Sequence, residues 1–118
     1  MVISLSNIVI AELVMLYEKS GKQSSLEDSD KGFQSGMNTA LCLFGYHIQK
    51  EKSRAGYEMV VTCNVPRNAV EYAYNINKKQ QSFDPLSNAF CLGFEASLRE
   101  IGYEMKFHNK TYKLSKKG

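Results

Sequence analysis

The chain is poor in the residues that build covalent or metal frameworks. It has three cysteines, Cys42, Cys63 and Cys91, and two histidines, His47 and His108. The cysteines are odd in number and far apart, and no CxxC pair or Cys/His cluster occurs, so neither a disulfide framework nor a structural zinc site is expected. Excess charge of one sign is also scarce. Fifteen basic and twelve acidic side chains leave a net +3, too mild to point to a nucleic-acid or membrane partner by itself. No apolar run reaches the roughly 20 residues of a membrane span. The longest, Val2 to Tyr17, carries Glu12 at its middle, has no basic stretch before it and no small-residue cleavage site after it. It reads as a buried helix of a cytoplasmic protein with reduced thiols.

Catalytic signatures are missing as well. There is no HExxH, GxSxG, Walker-type loop or dinucleotide fingerprint, and the glycine-rich run Gly32 to Gly36 lacks the following Lys-Ser/Thr. The acidic run Glu27, Asp28, Asp30 lacks the glycine and distal glutamate of a calcium loop and reads as helix capping. Cys42 and Cys63 fall on apolar faces and read as buried, inert thiols. His47 and His108 fall on the polar sides of strands at non-corresponding positions. With no convergent polar set, neither catalysis nor a metal or cofactor is expected.

What is present is ordinary globular composition, 43% hydrophobic and 23% charged over 118 residues, which suits a single domain. The chain also matches itself at an offset of 57 residues without a gap. Asn7/Asn64, Tyr17/Tyr74, Phe33/Phe90, Gly36/Gly93, Leu41/Leu98, Gly45/Gly102 and Tyr46/Tyr103 are among 10 identities in 43 pairs. Unrelated segments of such composition would give roughly three. The expected repeats are residues 1–63 and 64–118.

Each repeat reads as two helices and a hairpin. The first helices run from about Asn7 to Ser20 and Asn64 to Asn77, with Asn7 and Asn64 as caps. Polar connectors follow, Lys22 to Lys31 and Lys78 to Asp84. The second helix carries the clearest stripe, Phe33, Gly36, Met37, Ala40, Leu41 and Phe44, repeated as Phe90, Gly93, Phe94, Ser97, Leu98 and Ile101. A glycine at one place in both stripes points to close helix packing, because glycine costs a helix interior about 1 kcal/mol relative to alanine. Gly45 and Gly102 stop these helices. Strands follow at Tyr46 to Lys50, Tyr57 to Cys63, Tyr103 to His108 and Thr111 to Leu114, with Asn109-Lys110 as a two-residue turn. Lone hairpins are marginal. The expected fold is therefore α+β, a tandem ααββ repeat forming one domain, with a single four-stranded antiparallel sheet and helices packed on one face.

Differences between the copies carry the functional expectations. Ile10, Val14, Cys42 and Leu43 stand where the second copy has Arg67, Glu71, Arg99 and Glu100. Read as a solvated face in the second copy, these positions make Ile10, Val14 and Leu43 the candidate interface for a homodimer or protein partner. The alternative cover is the other repeat. The surplus positive charge lies in residues 58–118, and the run from Lys106 to Lys117 has five lysines and no acid. Lys50, Lys52, Arg54, Lys106, Lys110 and Lys113, with tyrosines nearby, are candidate nucleic-acid contacts. A tandem winged helix fits less well: the helix connectors exceed the three or four residues of a helix-turn-helix, and only Gln34 and Asn38 could read bases.

The segments Gly36-Met37-Asn38-Thr39-Ala40-Leu41-Cys42-Leu43-Phe44-Gly45-Tyr46-His47-Ile48 and Gly93-Phe94-Glu95-Ala96-Ser97-Leu98-Arg99-Glu100-Ile101-Gly102-Tyr103 resemble the G…AL…LGY helix ends of small uncharacterised phage and mobile-element proteins of Gram-positive bacteria. The resemblance covers about a dozen residues per copy and implies a small accessory protein acting by binding, for instance an inhibitor of a host system. The leading expectation is a non-catalytic binding protein working through protein–protein contacts. A nucleic-acid-binding regulator using its basic hairpins is the alternative.

Overall fold

A computed structural model describes residues 3–22 and 27–117. The elements are α1 (Asn7–Lys22), α2 (Glu27–Cys42), β1 (Tyr46–Lys50), β2 (Tyr57–Val61), α3 (Arg67–Gln80), α4 (Pro85–Ile101), β3 (Tyr103–His108) and β4 (Thr111–Lys116). The order ααββ thus runs twice in an α+β fold. No helix among the described residues is long and apolar enough to cross a membrane.

Local chemistry sets the element ends. Ser6, not Asn7, caps α1: its Oγ accepts the Val9 N–H at 3.2 Å. Asn64 likewise is no cap, since α3 begins after Pro66. Asp84 caps α4 by accepting the Leu86 N–H at 3.1 Å, with Pro85 in the first turn, where its missing N–H costs nothing. Gly45 (φ 86°) and Gly102 (φ 98°) turn left-handed after α2 and α4, a conformation that favours glycine. Asn109 and Lys110 both have positive φ, 49° and 69°, the geometry of a type I′ hairpin turn. Both helical connectors are shorter than expected, because α2 starts at Glu27 and α3 runs on to Gln80. The side chains of Glu27, Asp28 and Asp30 lie outside the described residues.

The centre of the molecule is the crossing of α2 and α4. A Cβ added to Gly36 would run into the Phe90 carbonyl, and one added to Gly93 would run into the Phe33 carbonyl. The two collisions are the same contact at an offset of 57 residues. Backbone meets backbone here, and the stripe around it builds the core. Leu13, Met37, Leu41 and Ile48 form one buried cluster; Ala40, Leu43, Phe44, Val70, Tyr74, Cys91, Phe94, Leu98 and Leu114 form the other. Each large aliphatic or aromatic side chain buried in this way contributes about 1.5–3 kcal/mol.

The equivalence extends outward. The Tyr17 and Tyr57 rings meet edge-on at 5.1 Å, as do Tyr74 and Tyr112 at 5.5 Å. Glu18 accepts the Tyr57 N–H at 3.2 Å, and Asn75 accepts the Tyr112 N–H at 2.8 Å. The hairpins close alike, Thr62 N–H on Gly45 O and Lys117 N–H on Gly102 O, both at 2.9 Å.

The expected single four-stranded sheet does not form. β1 pairs only with β2 and β3 only with β4, in two separate antiparallel sheets. Helix side chains take the strand edges instead. Asn38 donates to Ile48 O at 3.0 Å and accepts from Ile48 N at 2.8 Å. Along β4, Asn75 does the same for Tyr112, Glu71 accepts the Leu114 N–H at 2.8 Å, and Arg67 donates to Leu114 O at 2.6 Å. Packing on helices is the other route by which a hairpin becomes stable.

Two measurements follow from this packing. Gly36→Ala or Gly93→Ala is expected to cost about 1–3 kcal/mol by overpacking, more than the roughly 1 kcal/mol gained in helix propensity. A urea midpoint at or above wild type would show that the helices can part freely. Separately, α1 meets α4 where Glu12 faces Glu100, and the shared hydrogen bond, then partial burial, raises the Glu100 pKa. A raised folded-state value means that the pair stabilises the fold when protonated. That contribution is complete below the usual glutamate range and fades as pH rises through the folded value. Glu100→Gln should flatten this part of the stability–pH curve; an unaltered slope would remove the pair as its source.

Candidate nucleic-acid interface

α3 lies along the outer edge of β4, held by the row Arg67, Glu71 and Asn75, one helical turn apart each. Glu71 is therefore not on a solvated face. It is 7% exposed, takes the Leu114 N–H, and sits 3.2 Å from Arg67 Nε and 3.8 Å from Lys113 Nζ. The comparison of copies misread Glu71, because charge was equated with solvent; Arg67 and Arg99 are exposed. In the first half Ile10 and Val14 occupy these places and are half-buried on α1. Leu43 is 1% exposed. α2 ends at Cys42, so Leu43 leaves the helical face and turns into the core beside Phe44 and Val70. Ile10, Val14 and Leu43 thus do not form one exposed patch.

The basic candidates are all exposed. Lys50 ends β1, and Lys52 and Arg54 lie in the loop to β2. There Arg54 Nε is engaged by Glu51 Oε2 at 2.9 Å. The second hairpin differs. Lys106 and Lys113 are directly opposite in register, so two like charges share one strand face, with Lys110 at the turn beyond. Facing cations in a sheet are mutually destabilising; Glu71, 3.8 Å from Lys113 Nζ, offsets this on the Lys113 side. The structure brings Lys106, Lys110 and Lys113 together and leaves Lys50, Lys52 and Arg54 on the separate first hairpin.

Sequence reasoning missed what surrounds this hairpin. Phe107 is 65% exposed beside Tyr112 (ring centroids 5.0 Å apart), and Tyr72 is 63% exposed on α3. Between α3 and β4 runs a groove of about 310 Å³ whose walls include Tyr72, Ile76, Lys79, Thr111 and Lys113. Tyr72 corresponds to Met15, which is also exposed on α1, but neither exposure can be read from the sequence. Gln34 and Asn38, the base-reading candidates, turn inward: Gln34 donates to Tyr17 O at 3.0 Å, and Asn38 is held by Ile48.

The nucleophiles are divided. Cys63 is exposed rather than buried, because β2 ends at Val61. Cys91 is buried, which pushes its thiol up to about 11; the nearby Lys78 opposes the shift and Glu95 adds to it. Burial also raises the half-buried Cys42 thiol. The Tyr74 hydroxyl is raised by burial and by its hydrogen bond to Glu95, so it stays protonated. No group of three or more His, Cys, Asp or Glu side chains that could hold a metal ion occurs among the described residues.

No family model, curated protein or solved structure matches the chain.

Glu71→Ala is expected to lower stability by about 2–3 kcal/mol, since it strands the buried Leu114 N–H and frees Arg67. Amide exchange at Leu114 should accelerate well beyond that at His47. Equal protection of Leu114 in both proteins would show that the helix face does not hold this edge.

Proposed function

We propose that this protein acts by binding rather than catalysis, as a nucleic-acid-binding accessory protein built from two tandem copies of an ααββ unit. The observation that carries the reading is the Lys106–Lys113 pair, which sets two exposed cations opposite one another on one strand face, with Glu71 reaching only Lys113, at 3.8 Å. Lys110 extends this charge along the turn, and Lys79 adds to it across the groove. Phosphate oxygens spaced along a backbone satisfy such a row, and release of their counterions drives binding. Tyr72, exposed on the wall of that groove, and Phe107, exposed on the other face of the same hairpin, offer rings on which bases stack, as in proteins that hold single strands. The tandem-copy part rests on the offset identities and on the paired glycine, tyrosine and edge contacts. The cytoplasm, where thiols stay reduced, suits the exposed Cys63.

Protein–protein contact, including a homodimer, keeps one observation of its own: Ile8 and Met15 are exposed seven residues apart on one face of α1. An accessory role in a phage or mobile element would fit either kind of partner.

Fluorescence anisotropy with single-stranded DNA and RNA decides between them. Binding is expected to weaken as salt rises from about 50 to 200 mM. Changing Lys106, Lys110 and Lys113 together to Gln should cut the log–log salt slope by about 2. An unchanged slope would reject the second hairpin as the contact. No binding at either salt would leave the α1 face as the functional surface.

A further inference from the structure

β1 and β3 hold equivalent places in the two halves, and each turns the main chain of one residue outward, toward the helix before it. In β1 this residue is Ile48, and the Asn38 carboxamide fills both of its hydrogen-bonding positions. In β3 it is Met105. Met105 stands opposite Leu114, whose N–H and C=O are both bonded outward to α3. In such a non-hydrogen-bonded pair the partner's groups point out of the opposite edge. The counterpart of Asn38 is Glu95, and a carboxylate cannot donate to the Met105 carbonyl. It is also drawn away, accepting from the Tyr74 hydroxyl and from Lys78 Nζ at 3.4 Å. Among the described residues no side chain hydrogen-bonds the Met105 main chain.

In place of a plug there is a cleft of about 300 Å³, to which Glu95, Arg99, Tyr103, Met105 and Lys117 contribute. Its volume is that of a small-ligand pocket. Lys78 and Glu95 neutralise one another, so the charges left on the walls are Arg99, Lys117 and the single acid Glu104. The cleft therefore combines an unused donor–acceptor pair, an aromatic wall and a surplus of positive charge.

We infer that the α4–β3 cleft binds a nucleotide, the base pairing its donor–acceptor edge with the Met105 N–H and C=O as Asn38 does with Ile48, and the phosphate lying toward Arg99 and Lys117. Every nucleobase carries an adjacent donor and acceptor, so the site takes the class rather than one base. The inference stands on the empty edge and the charged cleft beside it, and does not depend on the basic hairpin being a nucleic-acid interface.

The test is an amide-resolved NMR titration of the full chain with AMP, UMP, uridine, inorganic phosphate and a short oligonucleotide. AMP or UMP is expected to shift the Met105 amide at about millimolar concentration while the Ile48 amide stays still. A shift with the oligonucleotide alone would support the site and identify the nucleotide as part of a strand. Glu95→Asn supplies the missing carboxamide and should weaken nucleotide binding about tenfold or more. Arg99→Ala, on an exposed side chain, should weaken UMP binding but not uridine binding, and serves if Glu95→Asn fails to fold. The inference is overturned if no probe moves Met105, or if inorganic phosphate alone reproduces the UMP shifts.

Discussion

The contact on which the structure depends is backbone against backbone. Gly36 and Gly93 let α2 and α4 approach until each helix touches a carbonyl of the other, at Phe90 and Phe33. Side chains on either glycine would force the helices apart, and interiors packed at crystal-like density do not absorb such a shift. The placing of everything else follows. β1 and β3 leave α2 and α4 through left-handed glycines at the same place, so the hairpins inherit the orientation of the helix pair. Leu41 and Leu98 sit buried where the stripes continue past the crossing.

Around this shared frame the two halves use different chemistry. Where α1 offers Val14, α3 offers a buried carboxylate that holds a strand edge. Where α2 offers the carboxamide of Asn38, α4 offers Glu95, committed to Tyr74 and Lys78. One half thus fills its β1 edge at Ile48 and takes the Tyr57 N–H of β2, whereas the other fills the β4 edge at Tyr112 and Leu114. These are changes in hydrogen-bonding type at fixed geometry, and they decide which main-chain groups face protein and which face solvent.

Much of this frame was legible in the chain. The repeated stripe identified the inward faces of α2 and α4, the paired glycines pointed to close approach, and Gly45, Gly102 and Asn109-Lys110 marked the turns. The sheet count was not legible, because periodicity reports which face of a strand is apolar and says nothing of what satisfies its edge. Glu71 was misread because a charged residue reads as solvated until its partners are known. Leu43 was misread because α2 stops one residue before it. The lysines of the second hairpin were legible as a cluster. Their cross-strand register was not, nor were the exposed rings of Tyr72 and Phe107, since both depend on how the hairpin meets α3.

The innermost contact runs between the halves, yet the halves are joined only through the short stretch Thr62 to Pro66, outside any helix or strand. That stretch does not form the interface; it sets the effective concentration at which one half meets the other. A single backbone cut there would leave the Gly36 and Gly93 contacts intact but remove that effective concentration, so the stability of the nicked protein would come to depend on how much of it is present.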